Sequence, residues 1–419
     1  MPVNLAQTLR RLLTVAVVVA FTLAASAWAS PKFRIIHTFT GGNDAWFPTG
    51  VLTFDSAGNL YGTSIYGGST TACGGVYGCG TVFRLVPKNG HWIENLLTNF
   101  GNATGQVGPS GPLVFDSAGN LYGIGTFNYY DNGQVFLGQL FQLVNGGGSY
   151  TESTLHFFVG GNNDGGVANP GLVRDTAGNL YGSAQAGGDL NNNGVIFEFS
   201  PNGDGTWTET FPYQFGQGKS YIPTGNMVID KAGNLYGTTA NGGAYGYGSV
   251  YKLSQASGVW TIESLYDFTP SPNYGQYPTP GGLVMDAAGN LYGNTQYDGF
   301  YGVGSLYKLT PTVGYWKFSL IHSFTGSTDG GYPAGGLAVD PSGNIYGTTY
   351  TGGLFQYGTV YKFVRGPKGS WNETVLHNFA ATTDGYQAQG VILDSLGDVY
   401  GVAEYGGANL DGVAYEITP

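Results

Sequence analysis

The sequence predicts an all-β protein: a seven-bladed β-propeller of four-stranded antiparallel blades, its last blade closed by the N-terminal strand. Three observations carry this. A D-x-x-G-[ND]-[LIV]-Y-G pattern begins at Asp55, Asp116, Asp175, Asp230, Asp286, Asp340 and Asp394, at intervals of 54 to 61 residues, a period that belongs to repeat architectures. Each interval divides into four apolar runs of strand length, a to d, separated by turn residues. The two ends of the chain are complementary. "FRIIHTF" (33–39) matches the d runs, and "GVAYEIT" (412–418) is a c run with no d after it. Equal numbers of each run result only if the first strand completes the last blade, which hides the sheet edges that an open array would leave bare.

The fifth repeat shows the elements in order. "GGLVMD" (281–286) is a, "NLYGNT" (290–295) is b, "GSLYKLT" (304–310) is c and "WKFSLIHSF" (316–324) is d. In D-x-x-G the Asp accepts hydrogen bonds from turn N–H groups, and the Gly supplies the left-handed residue that closes a short hairpin. Leu and Tyr then point to opposite faces of strand b. Both are large, so the strand is covered on both sides, as in sheets stacked face to face around a ring. No window beyond the first 29 residues has helical periodicity. The repeats start near 50, 111, 170, 225, 281, 335 and 389, in a single domain spanning 30–419.

Glycine accounts for 74 of 419 residues, aromatics for 15% and charged residues for 10%. So few charges and so many rings exclude an acidic disordered chain. Residues 1–29 read as an export signal: Arg10 and Arg11, the apolar stretch Leu12 to Ala25, and the Ala27-Trp28-Ala29 cleavage site. Its removal takes the net charge from −11 to −13. That charge argues against nucleic acid and anionic lipid as partners. No later stretch is long enough to span a membrane. Cys73 and Cys79 are expected to form a disulfide clip, which persists in an exported protein, secreted or periplasmic; without a nearby His they make half a zinc site at most.

The d–a and b–c loops share one face and are aromatic. Trp46, Phe47, Tyr221, Tyr277, Tyr332 and Tyr386 lie in d–a loops, and Tyr66, Tyr297, Tyr350 and Tyr405 leave strand b at similar positions. Flat rings beside Asn, Thr and Asp suit neutral sugars; the same rings could instead fill gaps between blades. The seven turn Asp residues are spread around a ring and cannot converge on calcium, so they read as caps. His37, His156, His322 and His377 share one d-strand position. Equivalent positions in neighbouring blades are too far apart for one metal, so they read as packing residues. No metal or cofactor is expected. "FGQGKS" (215–220) lacks the upstream Gly and the following helix of a phosphate loop. Glu404 breaks the repeat, and Asp298, Asp131 and Asp189 lie in b–c loops; Glu404 and Asp298 are the candidates for paired carboxylate catalysis on a glycosidic bond.

"GLVMDAAGNLYGNT", "GGLAVDPSGNIYGTTYTGG" and "GTVYKF" resemble the Gloeo/Verruco (GloVer) tandem repeat of exported bacterial proteins, over essentially all of 33–419. The resemblance implies export and no established chemistry. The expectation is therefore a monomeric exported propeller that binds a polysaccharide or a cell-surface protein through its aromatic loop face. The alternatives are a carbohydrate-active enzyme working at the central mouth and a ligand-free interaction scaffold.

Overall fold

The computed structural model describes residues 30–68, 78–101, 108–126, 129–131, 134–188, 192–216, 220–269 and 278–419. The expected export signal, Cys73, Tyr277 and Asp189 lie outside the described residues, as does the side chain of Asp131.

The motif Asp organises its turn. Asp55 Oδ1 accepts the peptide N–H of Ala57 and of Asn59, both at 2.9 Å. Its Oδ2 accepts the Asn59 side-chain amide at 2.7 Å and the Tyr61 hydroxyl at 3.1 Å. Gly58 sits at φ 81°, the left-handed residue of the turn. The Asn and Tyr bonds recur at Asp116, Asp175, Asp230, Asp286 and Asp340. The motif Tyr is thus buried on strand b with its hydroxyl tied back to the Asp six residues earlier, which satisfies the polar end of a core ring. In the last repeat Asp398 replaces the Asn. Burial and the neighbouring Asp394 both raise its carboxyl above its ordinary value.

Strand b is covered on both faces, as predicted: Leu60 is fully buried and Tyr61 nearly so. The Gly after the Tyr leaves room for a ring on strand c. A Cβ on Gly62 would meet Phe83 Cζ at 2.4 Å, and one on Gly347 would meet Tyr361 Oη at the same distance.

The strands form antiparallel blades ordered a-b-c-d in a propeller arrangement. Five stand as separate sheets, spanning 45–99, 109–157, 165–214, 220–267 and 278–323. In the third, strand a is split into Gly165–Ala168 and Val173–Arg174. The expectation of seven blades is corrected: five blades stand separately, and the rest of the chain forms one eight-stranded sheet. Its halves meet through a single parallel bridge between Gly336 and Gly390. Both residues lie on innermost strands, and without side chains the two backbones approach closely enough to pair: a Cβ on Gly390 would lie 2.5 Å from Gly336 N. Gly50 and Gly111 approach in the same way.

Lys32–Thr38 pairs antiparallel with Val413–Thr418, in the register Lys32↔Thr418, Phe33↔Ile417 and His37↔Ala414. The N-terminal strand therefore sits where the sequence places it. A hydrophobic cluster joins it to the next sheet: Ile36, Phe39, Tyr400, Val402 and Ala414 pack with Leu52, Leu60, Phe83 and Leu85.

Each d strand carries a bulge. Thr98 pairs with Val82 and Glu94 with Leu85, so five d residues oppose four on strand c. The same shift occurs at His37, His156, Tyr213, Tyr266, His322 and His377. A bulge turns residues that simple alternation would place on one face onto opposite faces.

Candidate functional site

A cavity of about 320 Å3 opens where the innermost strands converge. Its polar lining includes Thr49, Ser110, Asn226, Gln296, Tyr350, Gln389 and Glu404. Strands a and the outgoing ends of strands b supply it, which is the face predicted from the loops. The volume is near the lower limit for small-ligand pockets, at about 300 Å3.

Glu404 is the one acidic residue among its described lining. The Gln389 side-chain amide donates to Glu404 Oε2 at 3.0 Å. Burial pushes the Glu404 carboxyl up to about 7 in spite of that bond. The Tyr350 hydroxyl donates to Gln389 Oε1 at 3.4 Å, and burial raises its pKa too. The polar edge of the cavity is thus a short chain, Tyr350–Gln389–Glu404, with a carboxyl close to its protonation midpoint at neutral pH. Asp298 stands apart. It is buried, accepts the hydroxyls of Thr295 and, at 3.4 Å, Ser305, and does not line the cavity. The two candidate carboxylates therefore do not face each other across a shared space.

Five of the ten predicted rings pack together. Tyr386 and Tyr405 stack with centroids 5.1 Å apart and planes at 17°. Phe47 lies 4.7 Å from Tyr405, and Trp46 lies 5.0 Å from Phe47. Tyr66 touches both Trp46 and Phe47. At the other end Tyr357, which the sequence reading did not single out, lies 5.7 Å from Tyr386 and is 44% exposed. These six rings form a continuous arc across the seam where the N- and C-terminal parts of the chain meet. Trp46, Phe47, Tyr66, Tyr386 and Tyr405 are half-buried: each keeps an edge or a face in solvent while packing on its neighbours. Tyr297 and Tyr332 form a separate pair, 5.9 Å apart, with Tyr297 57% exposed. Tyr221 is exposed.

Backbone strain helps position the rim. Phe47 and Tyr332 both sit at φ 53°, with Ile222 at 61° and Gln387 at 57°, a region non-glycine residues seldom adopt. The Phe47 N–H donates to Asp411 O at 3.2 Å and the Tyr332 N–H to Val303 O at 2.6 Å. Phe47 and Tyr332 are thereby clamped to the b–c loop of the preceding sheet. Nothing about Phe, Tyr, Ile or Gln signals this conformation in the sequence.

The d-strand histidines make a second constellation. They do not meet one another, as the spacing predicts, but apolar packing does not describe them. Each meets an Asp from its own d–a loop: His156 Nε2 is 3.0 Å from Asp164, His322 Nε2 is 3.0 Å from Asp329 and His377 Nε2 is 2.8 Å from Asp384. His37 Nε2 lies 3.6 Å from Asp44. Three of them also face a Glu on the next d strand around the ring: Glu94, Glu209 and Glu373, at 3.6, 3.9 and 3.7 Å. Desolvation raises all three Glu carboxyls, to about 9, 7 and 8. The bulge is what brings His and Glu together. It aims Glu94 at the preceding sheet and the His position of the same strand at the following one. Plain alternation would not reveal that.

A family model, the Gloeobacter/Verrucomicrobia repeat, matches residues 69–284 and 279–419. The chain belongs to the Gloeobacter/Verrucomicrobia repeat family. That is the family its motifs resemble. A curated relative, a xyloglucanase of Paenibacillus sp., is 40% identical over 91 residues, 21% of this chain and 8% of that protein. The repeat protein thus spans a small part of the length of that relative. Among solved structures, a fungal alcohol oxidase of the AA5 family in complex with copper is similar at a TM-score of 0.55 and 15% identity, over 93% of this chain and 76% of that one. At this identity the likeness shows the fold alone. A protein of unknown function from Dyadobacter fermentans aligns over 81% of this chain and 97% of its own, at 14% identity and a TM-score of 0.43. No helix among the described residues is long and apolar enough to cross a membrane.

Proposed function

We propose that this repeat protein is an exported glycan-binding module that holds a neutral polysaccharide segment on its aromatic arc, with one sugar unit reaching the axial cavity. The observation that carries this reading is the arc itself. Tyr357, Tyr386, Tyr405, Phe47, Trp46 and Tyr66 make a half-exposed strip of rings, and Glu404 precedes one of them at the edge of a cavity lined by amides and hydroxyls. Rings supply the apolar contact that a sugar face needs, and amides and hydroxyls orient its hydroxyl groups. The name of the xyloglucanase relative agrees with a glycan as the partner class. A single carboxyl among the described residues of the cavity lining favours binding over hydrolysis in this reading, because glycosidases of both stereochemical types use two.

In the same reading the eight-stranded sheet is two blades joined at the Gly336–Gly390 contact. The ring is then sevenfold and forms one domain over 30–419. Residues 1–29 direct export and are removed, Cys73 and Cys79 form a disulfide, and the chain is a monomer.

The test is a glycan array followed by titration calorimetry with xyloglucan oligosaccharides. Retention on soluble β-glucans, lost in Tyr386→Ala and Tyr405→Ala with the fold intact by circular dichroism, is the expected result. No retention on any soluble polysaccharide overturns the reading, and release of reducing ends by the wild type but not by Glu404→Gln replaces it with the enzymatic one.

A further inference from the structure

The geometry points to three divalent transition-metal sites of zinc type between neighbouring sheets, each made of one His, one Asp and one Glu. The groups are His37 with Asp44 and Glu94, His156 with Asp164 and Glu209, and His322 with Asp329 and Glu373; within each, the candidate ligand atoms lie within 4.8 Å of one another. A tetrahedral ion with bonds of about 2.0–2.1 Å needs ligand atoms about 3.3 Å apart. The Nε2–carboxylate separations run from 3.0 to 3.9 Å, on both sides of that edge length. The donor set of one imidazole and two carboxylates suits borderline first-row ions.

The first group shows the mismatch that an ion would resolve. His37 Nε2 is 3.6 Å from both carboxylates, within ion-pair reach but too far for a hydrogen bond, so this buried nitrogen has no hydrogen-bond partner. One oxygen of Glu94, Glu209 and Glu373 is likewise buried and accepts no hydrogen bond, at all three places. Two carboxylates converging on one imidazole leave acceptors that a single N–H cannot serve. The Asp is already oriented: Asp44 Oδ2 accepts the Thr40 N–H at 2.9 Å, and Asp329 Oδ2 accepts the Thr325 N–H at the same distance. Such outer bonds fix a ligand's direction. The third group also has an entrance, a surface cavity of about 250 Å3 lined by Asp329 and Glu373.

The ring supplies its own controls. His377 has its Asp384, but the Glu position is Phe33, whose ring stacks on the imidazole at 3.7 Å and 10°. Glu152 occupies the Glu position opposite Thr98, where no His is present, and there the Gln139 amide donates to it at 3.1 Å. A Glu without a His carries an amide partner instead, and a His without a Glu carries a ring. Among the described residues, only the three complete sets retain buried Glu oxygens that accept no hydrogen bond.

Zinc titration of the full chain, stripped of metal with a chelator, tests this by calorimetry and by bound-metal analysis after desalting. Three equivalents are expected, with one lost in each of Glu94→Gln, Glu209→Gln and Glu373→Gln, and none lost in Asp384→Asn. Far-UV circular dichroism identifies the variants that keep the fold. Thermal melts with and without zinc give a second readout on the wild type alone. At a hundredfold excess over Kd, each site should multiply the folding equilibrium constant by about 100. A wild type that takes up no zinc and melts unchanged overturns the inference and leaves the three clusters as proton-sharing ion pairs. So does uptake that the Glu→Gln variants do not reduce.

Discussion

Replacing Glu404 with Gln removes one titration and little else, because the amide keeps the shape and the Gln389 contact. In the fold the Glu404 carboxyl stands at about 7 against an ordinary 4.5, chiefly through burial at the cavity wall. Between those pH values the folded chain holds a proton that the unfolded chain has released. The contribution of this group to stability is therefore present at low pH and is lost as pH rises through the window. Each pKa unit corresponds to about 1.4 kcal/mol, so the full shift is worth on the order of 3 kcal/mol, and somewhat less where cavity water solvates the charge. Urea unfolding of wild type and Glu404→Gln at half-unit steps from pH 4 to pH 8 isolates it, since carboxylates common to both proteins drop out of the difference. The variant should match the wild type near pH 4 and exceed it by about 2–3 kcal/mol near pH 8. Parallel stability profiles would refute the argument, because they require Glu404 to ionise in the fold as it does in the unfolded chain.

Other substitutions test the framework. Gly347→Ala would place a Cβ 2.4 Å from Tyr361 Oη and 2.8 Å from Leu337 Cδ2, and should lower stability in thermal melts by about 1–3 kcal/mol; an unchanged melting temperature would contradict the packing described for strand b. Asp398→Asn should restore the amide found at the other turns and remove repulsion from Asp394. The expected gain is about 0.5–1.5 kcal/mol at pH 7, fading as pH falls and Asp398 takes up its proton; an equal gain at pH 3 would refute the electrostatic part. Deleting residues 30–38 should abolish the single cooperative melt, since burial of Ile36 alone is worth about 1.5–3 kcal/mol and Val413–Thr418 becomes a bare edge. A truncated chain that melts as the full one does would show that the closing strand is dispensable.

Features set by local chemistry or by counting were legible in the sequence. Asp55 and Gly58 announce a turn, Leu60 and Tyr61 a strand covered on both sides, and the unpaired 33–39 and 412–418 runs announce their own pairing. Features set by the meeting of two sheets were not. The left-handed backbone at Phe47 and Tyr332 exists because their N–H groups reach carbonyls of the preceding sheet, a contact with no local signature. The d-strand bulge was equally hidden: Glu94 and Thr98 share parity, and only the ladder shows them on opposite faces. The merged sheet arises from Gly336 and Gly390, whose lack of side chains permits a backbone pairing that no apolar pattern encodes. The aromatic arc was legible as composition. Its contiguity was not, because Tyr386, Tyr405 and Phe47 come together only across the seam.

The seam also shows how one strand is kept at one place in a ring of near-identical repeats. Lys32–Thr38 could in principle complete any sheet that lacks a d strand, including one on another copy of the chain. Its backbone ladder and the burial of Ile36 and Phe39 are generic and supply most of the attraction. Its distinguishing contacts are specific to this position. Phe33 stacks on His377 behind it and packs 5.6 Å from Tyr415 in its own sheet. Arg34 donates to Glu416 on the strand it joins and, at 3.2 Å, to Gly90 O on the turn ahead. An exposed ion pair adds only about 0.2–1 kcal/mol and an aromatic pair about 0.5–1.5, too little to drive closure. Such terms do suffice to rank alternatives: a Glu at the Phe33 position would set a second carboxylate beside Asp384 and His377, and a Phe at the Glu94 position would leave His37 with one carboxylate, Asp44. The d strands are therefore interchangeable in backbone and distinct in the face each turns to its neighbour, and that difference specifies the order of a ring whose repeats are otherwise alike.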